Sequence, residues 1–267
     1  MGFKSEIGWT DGTFNPWAGC EPVSAGCAHC YAKRNWSLMG LEPGERRLTS
    51  DADWKKPLAW NRQMEAEGRT MKVFCGSICD VFDQKVPEAW RENLFELIRY
   101  TTNLTWLLLT KRAADMAYYF SCHPVPDNVW VGVTAENQAM ADERIPYLLG
   151  IDAPVRFVSV EPMLGRVDLT HIQMEGIVEI NALNGDHGVN RPLSGRSKNK
   201  LDQVIGGCES GPYRRHVSDD DFRFLRDQCV QFGVPFFLKQ MEVDGKVVKL
   251  PELDGRVWNE FPKVKVE

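Results

Sequence analysis

Long apolar runs are missing. Nothing in the 267 residues approaches 18 consecutive apolar positions, which excludes an apolar membrane-spanning helix. The opening MGFKSE lacks the apolar core of a secretory signal, and Glu6 stands where an N-myristoylation pattern needs Ser or Thr. An excess of positive charge is missing too. Lys plus Arg number 32 against 37 Asp plus Glu, a net charge of -5, so no global field holds duplex nucleic acid non-specifically; a local basic patch stays open. There is no G-x-G-x-x-G dinucleotide fingerprint, no phosphate-binding G-x-x-x-x-G-K-S/T loop, no internal repeat and no low-complexity tract. Apolar residues at 43% and charged residues at 26% are ordinary globular usage, which excludes disordered, collagen-like and coiled-coil chains. These absences point to a cytoplasmic protein, no membrane, and thiols kept reduced.

What is present begins with cysteine. Eight occur, at 20, 27, 30, 75, 79, 122, 208 and 229. In a reducing compartment they are not read as a disulfide framework, and the scattered ones read as small buried hydrophobes. Six short, nearly continuous β-branched runs follow along the chain, at 72–74, 106–109, 129–133, 155–160, 203–205 and 234–238. Strands covered on both faces of a parallel sheet have this pattern. Helices are predicted at 87–100, 137–149 and 218–232, the first opening on Pro87, the last with Ser218 as N-cap and Gly233 after its end. The alternation predicts an α/β fold: a single domain over 1–267 built as a partial (β/α) TIM-like barrel of about six parallel strands, with a doubly wound open sheet as runner-up. Residues 175–200 interrupt the pattern. The stretch NGDHGVNRPLSGRSKNK is read as a loop or lid, or equally as a tolerated surface insertion.

The sharpest local feature is the Cys loop at 19–31. Cys20, Cys27 and Cys30 are spaced C-x6-C-x2-C between Gly, Pro and Ala residues. Thiolates are soft ligands, suited to zinc or iron–sulfur clusters. Three ligands are one short of a closed structural zinc site or an ordinary four-Cys cluster. Three readings stand: a cluster with one open iron, a structural zinc completed by His29, Cys75 or Cys79, and chance grouping of reduced thiols. Trp9, Phe14, Trp17 and Tyr31 flank the loop, as a shield for it or as ordinary core. Trp36, Trp54 and Trp60 are candidates for base stacking.

Polar residues follow the predicted strands in phase: Gly76, Ser77 and Asp80; Thr110, Lys111 and Arg112; Thr134, Glu136 and Asn137; Glu161; Gly206, Gly207, Glu209 and Ser210; and Lys239. In a parallel barrel such exits open on one face, where ligands bind. Glu136, Glu161 and Glu209 could hold ribose hydroxyls or an amino group, and Lys111, Arg112, Arg214, Arg215 and Lys239 a carboxylate or phosphate. Pairing among these charges is the plainer alternative.

The segments IGWTDGTFNPWAGCEPVSAGCAHCYAKR, VFCGSICDVF, LLLTKR, NVWVGVTAENQ, VRFVSVEPMLG, VIGGCESGP and VPFFLKQ, in order over almost the whole chain, resemble the phage Gp37/Gp68-type proteins (DUF5131), a three-Cys-motif family. That family is similar to a divergent branch of the radical S-adenosylmethionine (SAM) superfamily. The resemblance implies a 4Fe–4S cluster on Cys20, Cys27 and Cys30, with SAM on the fourth iron and Tyr31 as aromatic neighbour. The loop departs from the common C-x3-C-x2-C by three extra residues. The resemblance further implies SAM contacts at Gly76 and Ser77 (amino group), Glu136 (ribose) and 206–211 (adenine or methionine end). Asp80, Thr110, Lys111, Thr134, Asn137, Glu161, Glu209 and Ser210 complete the set, with Glu161 and Lys239 as catalytic candidates. The implied activity is reductive cleavage of SAM to a 5′-deoxyadenosyl radical that abstracts hydrogen from a nucleotide or nucleic-acid base, in phage-type DNA modification, isomerisation or repair. It implies a flavodoxin- or ferredoxin-like donor and a place in the bacterial host cytosol. Two other classes stand beside it: a zinc-stabilised nucleic-acid-binding module without catalysis, and a metal-free barrel enzyme using Glu161 and Lys239 as acid and base.

Overall fold

The computed structural model describes residues 5–174, 178–187, 199–211 and 213–263. The chain is laid out as two compact units, Met1–Val131 with Asp152–Pro154, and Gly132–Ile151 with Val155–Glu267. Among the described residues no helix is long and apolar enough to cross a membrane.

In the first unit, β1 (Gly12–Phe14) pairs in parallel with β2 (Met71–Cys75), and β2 with β3 (Leu104–Thr110). Phe14 lies opposite Cys75, and Cys75 opposite Leu108. Four helices accompany them: α1 (Tyr31–Leu38), α2 (Asp51–Glu67), α3 (Glu88–Tyr100) and α4 (Ala113–Cys122). Helix α2 opens on a capping box. The Ser50 hydroxyl accepts from the Asp53 N–H, the Asp53 carboxylate accepts from Ser50 N–H, and Gly68 closes the helix in the left-handed region. Helix α3 turns Leu94, Phe95, Leu97 and Ile98 inward, the stripe its 3.6-residue period predicts, and Pro87 takes its N-cap position. Trp106 on β3 is fully buried, packs edge-on against Phe14 and donates its indole N–H to Thr101 Oγ1 at 3.0 Å.

Strand β4 (Val129–Thr134) begins in the first unit and ends in the second. After α5 (Gln138–Leu149) come β5 (Val155–Val160), β6 (Gln203–Gly207), α6 (Asp219–Phe232), β7 (Phe236–Val243) and β8 (Lys246–Lys249). Strands β5, β6 and β7 run parallel in that order, and β8 folds back antiparallel on β7. All residues of β4, β5 and β6 are buried, which is why their sequences are continuous rather than alternating. Asn137 caps α5, its side chain accepting from Met140 N–H, and Ser218 caps α6.

The α/β class and the parallel strands agree with the sequence reading. The main sheet has eight strands rather than about six. The additional two are β1, only three residues long, and β8, whose KVVK is half charged and largely exposed. Neither makes an apolar run. The 175–200 segment is in part ordered. Ile172–Met174, Val178–Asn181 and Asp186–His187 form a three-stranded antiparallel sheet, and residues 175–177 and 188–198 of the expected lid lie outside the described residues.

Gly132 in β4 has a packing reason. A Cβ there would stand 2.5 Å from the Phe157 ring of β5. Neither a strand backbone nor a fully buried ring yields easily, so Gly132→Ala is expected to cost about 2–3 kcal/mol, read as a lowered midpoint in urea with unchanged slope.

Candidate functional site

The Cys loop starts where the two-residue strand Trp17–Ala18 pairs antiparallel with Arg47–Leu48. Gly19 follows at φ 103°, donating its N–H to Ile78 O at 3.2 Å. A Cβ on Gly19 would fall 2.0 Å from the Glu45 carbonyl oxygen, so the chain passes through a gap that admits only glycine. Cys27 ends a single 3-10 turn, Ala25–Cys27, and Cys30 stands at the N-cap of α1. All three thiols are free and the three residues are partly exposed.

Helix α1 ties this loop to the exit of β2. The Tyr31 hydroxyl donates to Ser77 O and the Trp36 indole N–H to Ile78 O, each at 2.7 Å. From the other side, Asn15 donates its amide to Ser77 Oγ at 3.0 Å and accepts from Ile78 N–H at 3.0 Å. Gly76 takes φ 91° and donates to Phe14 O. Tyr31, Gly76 and Ser77 are thus brought together next to Cys30. Trp9, Phe14 and Trp17 belong to the core, whereas Tyr31 is half exposed. Trp54 packs edge-on against Phe14, and Trp36 is occupied by its hydrogen bond.

Behind Cys20 lies a buried charge network. Asp80, 6% exposed, accepts from Thr110 Oγ1 at 2.7 Å and Phe82 N–H at 3.0 Å on one oxygen, and from Lys111 N–H at 3.3 Å and Arg112 Nη1 at 3.2 Å on the other. Arg112 Nη1 also reaches Cys20 Sγ at 3.3 Å, and Nη2 reaches Glu21 O at 3.2 Å. Arg46 holds Asp83 with Nε at 2.9 Å and Nη2 at 2.5 Å. Burial, and then the charge of Asp80, push the Cys20 thiol up to about 11, with Arg112 opposing them. Asp80, Thr110 and Lys111 therefore converge beside Cys20, with both Asp80 oxygens occupied by protein donors. Cys79 keeps partial exposure as a residue, but its thiol is enclosed, and burial raises it well above the ordinary range.

In the second unit, each acidic strand exit meets a basic partner. Glu136, fully buried, accepts from Arg144 Nη1 at 2.9 Å, and the same nitrogen donates to Thr134 O at 2.8 Å. Glu209 accepts from Arg215 N–H at 2.9 Å, from its Nε at 3.0 Å and from Nη2. Glu161 pairs with Lys239, both side chains mostly buried. Gly207 makes that pair possible, since a Cβ there would press 3.1 Å from Glu161 Cδ. Gly206 is buried in β6 against Phe236 and Leu225, Asn137 serves as a helix cap, and Ser210 is exposed. Beside the Glu161 pair, burial and then Glu161 push the Cys208 thiol up to about 11. Arg214 turns to Glu242 at 2.5 Å.

A family model matches residues 4–262, nearly the whole of this chain, and its description is "Protein of unknown function (DUF5131)". The chain belongs to the DUF5131 family. No curated protein and no solved structure shows a match.

The DUF5131 chain contains residues that the pattern of strand exits did not single out. Asn15, Arg46 and Asp83 are needed to build the loop's surroundings, yet each lies far in sequence from what it touches. Arg112 was legible as an exit cation, but not as a partner for sulfur. Among the described residues no three or more His, Cys, Asp or Glu side chains are already gathered as a metal site. The donor set nevertheless fits a thiolate-bound cluster by its chemistry: three reduced, partly exposed cysteines on one short loop, with an Arg already donating to one sulfur.

The Glu161–Lys239 pair carries its own prediction. In Lys239→Met a carboxylate 16% exposed loses its cation, at an expected cost of about 3 kcal/mol in urea unfolding at pH 7. The double variant Glu161→Gln with Lys239→Met is expected to recover most of that loss. Equal stabilities for wild type and Lys239→Met would show the pair to be ornamental.

Proposed function

We propose that this DUF5131 protein is a radical SAM enzyme acting on a nucleotide or nucleic-acid base. The observation that supports it best is the Cys loop: three reduced thiols at C-x6-C-x2-C, seated on a glycine-only gap and tied by α1 to the exit of a parallel strand. On this reading Cys20, Cys27 and Cys30 hold a 4Fe–4S cluster and leave one iron for the amino and carboxylate groups of SAM. The bound cluster supplies the electron that cleaves SAM reductively, drawn from a flavodoxin- or ferredoxin-like donor.

The chain's own residues then have stated tasks. Tyr31, Trp36 and Asn15 fix the backbone at 76–78, so that its polar groups keep one geometry beside the cysteines. Trp9, Phe14 and Trp17 pack the core of the unit that carries the loop. Asp80 is a structural anchor for Arg112 and the start of α4 rather than a free ligand group. Glu136 and Glu209 are held by Arg144 and Arg215, so a ribose hydroxyl would share a carboxylate already in use. Glu161 and Lys239 form the pair from which a proton could move at a substrate atom.

The experiment is anaerobic purification with iron and sulfide assays, a visible spectrum before and after dithionite, and chromatography for 5′-deoxyadenosine after adding SAM with single mononucleotides. About four irons per chain, a broad band that bleaches on reduction, and nucleotide-dependent 5′-deoxyadenosine are expected. Zinc in place of iron after anaerobic reconstitution would overturn the reading in favour of a zinc-stabilised nucleic-acid-binding module.

A further inference from the structure

We propose that Arg112 is a positioning residue for the first cysteine and sets the reduction equilibrium of the cluster that the loop would hold; the inference rests on the cluster reading above. The geometry is specific. Arg112 occupies the N-cap position of α4, its side chain is 10% exposed, and one guanidinium nitrogen stands 3.3 Å from Cys20 Sγ and 3.2 Å from Asp80. The other nitrogen takes the Glu21 carbonyl, the next peptide along the loop, at 3.2 Å and lies 3.7 Å from Asp83. A planar fork of this kind fixes both the sulfur and the backbone that carries it, which a flexible ammonium does not.

The charges of Asp80 and Asp83 oppose that of Arg112 at Cys20, but they leave its directed hydrogen bond in place. Asp83 is held by Arg46, and Asp80 shares its oxygens with Thr110 and with two backbone N–H groups. Arg112 therefore gives Cys20 a directed donor as well as a nearby positive charge. A cluster gains one negative charge when it accepts an electron. Hydrogen bonds to its sulfurs and nearby positive charge favour the reduced form, and they act strongly where water is excluded. Among the described residues no side-chain donor reaches the Cys27 or Cys30 sulfur; Cys30 begins a helix and Cys27 ends a turn. The three ligands are thus inequivalent, with Cys20 the one anchored to the protein frame.

The test is dye-equilibrated potentiometric titration with dithionite of reconstituted wild type, Arg112→Gln and Arg112→Lys, after iron content and circular dichroism of each. Arg112→Gln is expected to bind iron and to disfavour the reduced state about tenfold, a fall of ~59 mV for one electron. Arg112→Lys keeps the charge but loses the fork, and is expected to shift in the same direction by about a third as much on the logarithmic scale. A loaded Arg112→Gln with the wild-type potential would overturn the inference and leave the cluster reading standing. If Arg112→Gln does not fold, a loaded Arg112→Lys at the wild-type potential does the same. A wild type that takes no iron overturns the cluster reading itself, and with it this role for Arg112.

Discussion

Cys20→Ala, Cys27→Ala and Cys30→Ala are each expected to lose the broad visible band near ~400 nm and to fall from about four irons per chain to near none after anaerobic reconstitution. The reason is arithmetic as much as chemistry. A site with three protein ligands has no spare thiolate, and the enclosed thiols of Cys75 and Cys79 are poor substitutes. Cys75 is fully buried in β2 opposite Phe14 of β1, where burial raises its thiol far beyond the range in which a thiolate forms. Cys229 is buried in α6. Cys79 is the discriminating control. Its thiol is enclosed, and Gly19 bridges to its backbone. Cys79→Ser is expected to keep full iron and full colour, and loss of iron in that variant would make the site a four-Cys one with no open position. Iron retained in any of the three loop variants would sink the assignment of ligands.

Gly19→Ala is expected to be the most damaging single-methyl change among the glycines of the described residues. The added Cβ would overlap the Glu45 carbonyl oxygen at 2.0 Å, and an L-residue at φ 103° is strained wherever it stands. Strained backbone and overpacking each cost about 1–3 kcal/mol, so a loss near 4 kcal/mol is the working figure. The obstructing atom is backbone in the stretch that leads into Arg46 and Arg47, so relief requires moving the strand that pairs with Trp17–Ala18. That movement would also carry Arg46 away from Asp83. Gly19→Ala should therefore lower the thermal midpoint and reduce iron uptake together. Gly40, with open space at its Cβ but a φ of 64°, is the comparison: Gly40→Ala should show a small loss from its backbone alone. A Gly19→Ala protein as stable as Gly40→Ala would mean that the gap is not as tight as described.

How much of this was legible beforehand differs from residue to residue. The six apolar runs became strands because each is short, β-branched and buried on both faces, a pattern with few alternatives. Ser218 and Gly233 announced their helix ends because capping is local chemistry. β1 was invisible, since Gly-Thr-Phe has no run to detect and becomes a strand only by lying along Val73 to Cys75. The cysteine loop could be seen as a loop, but not its setting. Nothing in the spacing of residues joins Arg112 to Cys20, Arg46 to Asp83 or Asn15 to Ser77, because those pairs are made by the fold and not by a helix or a turn. The strand exits were legible by position but not by partner. Glu136, Glu161 and Glu209 were correctly placed at strand ends, while their basic partners Arg144, Lys239 and Arg215 had to be seen to know that the charges are taken.

The sulfur of Cys20 and the guanidinium that meets it are separated by 92 positions in the chain, and Tyr31 and Ser77 by 46. A peptide of residues 19–31 would carry all three loop thiols and none of that frame. In small zinc modules the ion assembles the polypeptide, and removing it unravels the whole. Here the frame of β1, β2, β3 and α1 is held by apolar packing and by main-chain bonds that involve no cysteine sulfur. On the proposed reading the polypeptide is expected to fold first and the thiols to take up their cluster afterwards, as cargo delivered to a finished berth.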